Sequence, residues 1–191
     1  MEAKEILRKK FKEDRKALSE KERSIRSEKI ASESMRFLNA YRAIRHIHLF
    51  LPIKKLYEIN TVLLLPSLFG AGYEVYGSIT DRLGHKLQTV KITKDTVFIE
   101  DGMGIPIPKK PIYASNESID LVFVPLLGVD DAGNRLGYGM GFYDRFFGQL
   151  RPKVLKVGLS YFDTVKSIPV AEHDVALDAC VFPHGSVIFN K

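Results

Sequence analysis

Apolar residues recur at helical spacing through the first forty positions. Residues 2 to 17 carry Ile6, Leu7 and Phe11 on one side, with Leu18 next, and Ser19 followed by Glu22 is a capping-box pattern that restarts a helix. The second helix runs to about Leu38, with Ile25, Ile30, Met35 and Leu38 available for a buried stripe. The pattern then changes to strand-length runs. Ile47 to Ile53 predicts a buried strand, with Pro52 suited to its end. Thr61 is placed to cap a helix through Leu63 to Phe69 that absorbs Pro66 as a kink or boundary and stops at Gly70 and Gly72. Glu74 to Thr80 and Lys86 to Ile92 predict a hairpin about an Asp81 to Gly84 turn, and Asp101 to Asn116 reads as a long surface loop. Ile119 to Leu127 and Val154 to Tyr161 are buried strands with a helix, Phe142 to Gln149, between them, the right-handed crossover unit of a parallel sheet. A strand pair at Ala179 to Phe182 and Ser186 to Phe189 closes the chain.

Composition narrows this reading. At 191 residues with 45% hydrophobic and 27% charged residues, the chain has the balance of one globular domain and excludes a mostly disordered or collagen-like one. The single cysteine, Cys180, excludes an intramolecular disulfide and a cysteine-based zinc site; between Ala179 and Val181 it reads as buried filler. No apolar run approaches the ~20 residues of a membrane span. The N-terminus lacks the apolar core of a secretory signal, so a cytoplasmic location and no membrane partner are expected.

The net charge of +6 has a definite location. Residues 1 to 45 hold 14 Lys or Arg against 8 Asp or Glu, and the rest balances at 15 against 15. Pairs such as Glu5/Lys9 and Glu22/Arg26 fit a solvated helix face. Nucleic-acid binding is the competing reading, disfavoured because no aromatic residue alternates with the basic ones. A third reading has one or two of these cations reach a phosphorylated small ligand.

The chemistry concentrates between the strand ending at Leu127 and the helix near Phe142. Gly137, Gly139 and Gly141 stand at alternate positions, which lets backbone N–H groups approach an anion just before a helix. Arg135 and Arg145 are donors suited to phosphate oxygens, and Asp144 is a hard oxygen ligand suited to magnesium. The plainer alternative is a glycine turn with Arg135 and Asp144 paired at the surface. The spacing matches neither the P-loop nor the dinucleotide fingerprint. His46 and His48 share one strand face and are read as packing or solvated, not metal-binding.

The stretch from Arg135 to Arg145, RLGYGMGFYDR, closely resembles the R-L-G-x-G-x-G-x-Y-D-R signature of the 5-formyltetrahydrofolate cyclo-ligase family. Lys4 to Arg8 is similar to that family's N-terminal K-x-x-L-R, Leu51 through Glu58 to Thr61 to its L-P and E-x-x-T region, and Pro169 to Asp174 to its P-x-x-x-x-D element. The resemblance implies a three-layer α/β/α single domain with a mostly parallel central sheet and N-terminal helices. It implies a monomeric enzyme that takes ATP and 5-formyltetrahydrofolate, with magnesium as cofactor, and makes 5,10-methenyltetrahydrofolate, ADP and phosphate without a nucleic-acid partner.

Carried over residue by residue, the resemblance implies that Lys4 and Arg8 contact ATP phosphates. Arg135, Leu136, Gly137, Tyr138, Gly139, Met140, Gly141, Phe142 and Tyr143 cradle the triphosphate, and Arg135 and Lys4 have catalytic roles. Asp144 and Asp174 hold the metal, Glu58 binds the folate, and Ile53 is an apolar wall of its pterin pocket. The chain departs from the family pattern at Met140, where glycine or a basic residue is common, at Thr164, near a frequent glutamine, and at Ile107, which replaces an acidic residue. Another small-molecule phosphoryl-transfer enzyme remains the alternative, since the glycine loop speaks to phosphates and hardly to folate.

Overall fold

The computed structural model describes residues 2–81, 83–102 and 104–189. Two long helices open the chain, α1 (Glu2–Ala17) and α2 (Glu20–Asn39), and the break between them is the predicted capping box: the Ser19 side chain accepts from the Glu22 N–H while the Glu22 carboxylate accepts from the Ser19 N–H. Next come β1 (His46–His48), two 3₁₀ turns at Lys54–Leu56 and Thr61–Leu64, α3 (Leu65–Gly70), β2 (Glu74–Asp81) and β3 (Lys86–Ile92). Short strands β4 (Phe98–Glu100), β5 (Pro106–Pro108) and β6 (Ile112–Tyr113) precede β7 (Leu121–Pro125). The miniature pair β8 (Gly128–Val129) and β9 (Arg135–Leu136) leads to α4 (Phe142–Phe147), β10 (Leu155–Leu159), β11 (Ala179–Phe182) and β12 (Gly185–Ile188).

Eight strands form one sheet in the order β12-β11-β10-β7-β1-β2-β3-β6. The pairings from β11 through β10, β7 and β1 to β2 are parallel, with antiparallel strands added at both ends. Alternation along β7 and β11 divides the core. Leu121, Phe123, Ala179 and Val181 pack on the side of Ile30, Leu38 and Leu68, whereas Val122, Val124, Cys180 and Phe182 pack with Phe146 and Phe147 of α4. Helices therefore cover both faces, giving three layers.

The chain proceeds from β1 to β2 on one side and from β7 through β10 to β11 on the other, so the order reverses between β1 and β7. In open α/β sheets ligands bind at the carboxyl ends of strands flanking such a reversal. The segments leaving β1, β7 and β10 there hold Glu58, the glycine loop and Asp174 respectively. Phe11 of α1 packs with Leu127, Leu136 and Ile168, which lays this helix against the same end of the sheet.

Several local expectations are corrected. Ile6 and Ile25 are exposed, because the helix stripes that pack are centred on Phe11 and on Ile30 and Phe37. Thr61 does not cap a helix; its hydroxyl donates to the Phe50 carbonyl. The first strand ends at His48, although Leu49 to Leu51 stay buried, and the Asp101 to Asn116 stretch contributes β5 and β6. Glu5 pairs with Arg8 rather than Lys9, and Glu22 serves the capping box while Arg26 donates to the Tyr161 carbonyl. Arg82 of the predicted turn and Met103 of the predicted loop lie outside the described residues. Among the described residues no helix is long and apolar enough to cross a membrane.

Candidate functional site

Lys4, Arg8, Phe11 and Arg15 recur at helical spacing and form one face of α1. That face meets the glycine loop. Lys4 pairs with Asp174, and Arg8 donates from Nε to the Gly137 carbonyl at 3.0 Å. These two cations are held by the protein, and their side chains are only 16% and 15% exposed. Arg15 goes further inward, donating to the Tyr138 hydroxyl at 2.6 Å and to the Leu126 carbonyl at 2.5 Å.

The loop is held from below by a residue to which the sequence reading gave no role. Asp130 is buried and its carboxylate accepts from the N–H groups of Ala132, Asn134 and Ile168 and from the Asn134 amide. These bonds close the turn between β8 and β9 and tie it to the segment that carries Asp174. Beyond Leu136, Gly139 and Gly141 have φ of 96° and 65°, left-handed values that disfavour a side chain. A methyl group on Gly139 would also press on the Arg8 guanidinium at 3.1 Å, so the cation and the loop backbone are packed together.

Arg135 and Asp144 are joined across the loop at 2.7 Å, as the plainer reading supposed, but not at the surface: the Arg135 side chain is 6% exposed and stacks over Phe147. Asp144 also accepts from the Val175 N–H at 3.2 Å, and Arg135 donates to the Val175 carbonyl. Asp144 thus bonds the backbone of Val175, the residue that follows Asp174 in the last loop. Burial pushes the Asp174 carboxyl upward, but Lys4 and the Ala171 N–H outweigh it and hold the group below its ordinary value. Two carboxylates beside a glycine loop are a donor set suited to magnesium, which takes one or two carboxylates and completes its shell with other oxygens, water among them. The same scarcity explains why, among the described residues, no cluster of three or more metal-ligating side chains occurs.

Glu58 is part-buried. Tyr57 before it adopts a left-handed φ of 51°, stacked under Arg23, and this turns the Glu58 carboxylate back to accept from the Ile53 N–H at 2.8 Å. Tyr161, bonded to Ser27 of α2, donates to the Glu58 carbonyl. Burial raises the Glu58 pKa against the opposing pull of the Ile53 N–H, the Tyr138 hydroxyl and Arg15. Tyr138 therefore links the glycine loop to Glu58 and Arg15.

The other predicted positions sort themselves. Met140 is exposed, Phe142 lies under the Arg145 guanidinium, and Tyr143 is wedged edge-on against His48 and Phe146. Arg145 donates to the Met140 and His85 carbonyls, so it braces the loop. Thr164 bonds to Asp131, and Ile107 pairs with Ile99 across β4 and β5. His48 is buried on Ser78, and His46 sits beside Asp120.

A family model described as the 5-formyltetrahydrofolate cyclo-ligase family matches residues 1–183. The chain belongs to the 5-formyltetrahydrofolate cyclo-ligase family. It is 35% identical to a 5-formyltetrahydrofolate cyclo-ligase of Haemophilus influenzae over 126 residues, 63% of this chain and 67% of that one. Its identity to the Mus musculus cyclo-ligase is 26% over 196 residues, 94% of this chain and 93% of the relative. The solved 5,10-methenyltetrahydrofolate synthetase of Aquifex aeolicus superposes with a TM-score of 0.82 at 28% identity, covering 98% of this chain and 93% of that one. The cyclo-ligase fold and its ligase class are thereby established for this chain.

One participant had a sequence signal that went unread. Arg15 continues the Lys4, Arg8 and Phe11 stripe by one further turn, and that register alone places it toward the cyclo-ligase loop. Asp130 had only its place in a turn as a signal.

Proposed function

We propose that this cyclo-ligase converts 5-formyltetrahydrofolate to 5,10-methenyltetrahydrofolate with ATP, releasing ADP and phosphate. The observation that carries the reading is the meeting of three cations, two carboxylates and a glycine loop with the recessed Glu58 at one end of the sheet. The first group suits a triphosphate, and the second suits the donor-rich edge of a pterin.

Lys4, Arg8 and Arg135 neutralise the triphosphate while the N–H groups from Gly137 to Gly141 and the neighbouring Tyr143 position it. Magnesium held by Asp144 and Asp174 would supply further neutralisation of charge between the phosphates. Glu58 orients the pterin, and Ile53, whose N–H fixes that carboxylate, walls the pocket. The formyl oxygen attacks the γ-phosphorus and the bond to the ADP oxygen breaks. The neighbouring folate nitrogen then closes the ring on the activated carbon and gives up its proton to water, and the C–O bond breaks to expel phosphate. Positioning and charge stabilisation carry such a transfer, so no protein nucleophile is needed.

The experiment is direct. Purified protein mixed with 5-formyltetrahydrofolate and magnesium gives a rise in near-ultraviolet absorbance from the methenyl product when ATP is added and none without it. A flat trace from protein that binds magnesium-ATP contradicts the folate assignment.

A further inference from the structure

Helix α2 forms one wall of an open cleft of about 420 Å³, and the chain leaving β10 and the β11–β12 turn form the other. That volume is in the range of small-molecule sites, about 300–1,000 Å³. Among the described residues, Tyr161 is the one lining side chain bonded to the site proposed above, through the Glu58 carbonyl. Ile25, Arg26 and Lys29 recur at helical spacing on the α2 side, and Phe162 and Pro183 belong to the opposite wall.

The acids of this cleft are engaged. Glu22 accepts from the Ser19 N–H and hydroxyl in the capping box, and Asp163 is paired with His184 at 3.2 Å. The cations are not. Arg26 commits Nη1 to the Tyr161 carbonyl and lies over the Phe162 ring, while its Nε and Nη2 have no hydrogen-bond partner among the described residues and are open to solvent. Those two nitrogens form the side-on edge of the guanidinium, a two-pronged donor that a carboxylate fills with both oxygens. Lys29 is exposed and makes no ion pair among the described residues. Beside them Ile25 is left 42% exposed, an apolar surface next to two unpaired cations.

We infer that this cleft is a second ligand site, separate from the catalytic end, that takes a flat aromatic carboxylate. The carboxylate sits on the Arg26 fork with Lys29 alongside, and the ring lies between Ile25 and the wall of Phe162 and Pro183. Because Glu22 and Asp163 also line the cleft, a single negative charge suits it better than the doubly charged head of a phosphate monoester. The site does not depend on the folate reading of the catalytic end.

The test is equilibrium binding of 2-naphthoate and of its uncharged isostere 2-naphthamide to the wild-type chain, Arg26→Gln, Lys29→Gln, Ile25→Ser and Glu58→Gln, with and without magnesium-ATP. Wild type takes one naphthoate per chain and binds the amide about tenfold to a hundredfold more weakly, the range for hydrogen bonds to a charged group. Arg26→Gln brings the two affinities to within about threefold, Lys29→Gln lowers the preference about twofold to fivefold as for an exposed ion pair, and Ile25→Ser weakens both ligands alike. Lys29 and Ile25 are exposed, so their variants carry the test if Arg26→Gln does not fold. No saturable naphthoate binding, equal affinities in wild type, or a full preference surviving in folded Arg26→Gln or in Lys29→Gln overturns the site. Naphthoate binding that is lost in Glu58→Gln or displaced by magnesium-ATP places the ligand at the catalytic end and overturns it as well.

Discussion

Arg135 Nη2 lies 2.7 Å from Asp144 Oδ1, spanning the glycine loop from the strand that enters it to the helix that leaves it. The pair is mostly buried and shares Val175 as a partner on both sides. Removing one member strands the other, which for buried pairs costs about 3–5 kcal/mol. Arg135→Met is expected to lose about 3 kcal/mol in denaturant unfolding and to weaken magnesium-ATP binding at least about tenfold, since 1.4 kcal/mol of lost contact is tenfold. A variant with unchanged stability and unchanged nucleotide binding contradicts the proposed bracing of the loop.

Glu58 works against stability. Its pKa is raised in the folded chain, so between the ordinary glutamate value of 4.5 and the folded value the native state holds more protons than the unfolded one. Stability from this group therefore falls as pH rises through that window. Glu58→Gln is expected to flatten this limb and to be more stable at neutral pH. Its KM for folate rises at least about tenfold, the value of one lost charge-assisted bond, and its KM for ATP is unchanged. Unfolding midpoints across pH and two substrate titrations check this, and a selective rise in KM for ATP runs against it.

The shape of the sheet was legible because Leu121 to Val124 and Val157 to Leu159 are uninterrupted apolar runs that only a two-sided buried strand accommodates. The glycine loop was equally legible, since three alternate glycines before a helix have few structural uses. The inward turn of the Glu58 carboxylate was not. It depends on Arg15 and Tyr138, remote in sequence and brought near by α1 crossing the carboxyl ends of the strands. Ile6 was misplaced for a related reason: periodicity defines a stripe, but the tertiary partner of Phe11 decides which part of it packs. Thr61 failed as a cap because the Phe50 carbonyl competes for its hydroxyl.

His48 imposes a second pH dependence with the opposite sign. Burial lowers its pKa from 6.5 to about 3, so the folded chain keeps it neutral while the unfolded chain takes up a proton. Stability is lost as pH falls below 6.5, by about 1.4 kcal/mol per unit from this group. His48→Gln is expected to reduce the loss between pH 6.5 and 4, measured by chemical unfolding at fixed ionic strength. An unaltered slope contradicts the assignment.

Cys180 lies at zero exposure between β10 and β12, and burial pushes its thiol pKa upward. A thiol reagent such as a disulfide chromogen is expected to leave the native chain unmodified and to titrate one thiol per chain in denaturant. Rapid labelling of the folded protein would mean that the β11 region opens readily.

The proposed reaction transfers the γ-phosphoryl group of ATP to the formyl oxygen of the folate. Substrate carrying ¹⁸O in the formyl group tests it, with the label followed by mass spectrometry into inorganic phosphate during turnover. One labelled oxygen is expected in each phosphate released, in step with methenyl product and ADP. Label appearing in water, with cyclisation proceeding without ATP, contradicts it.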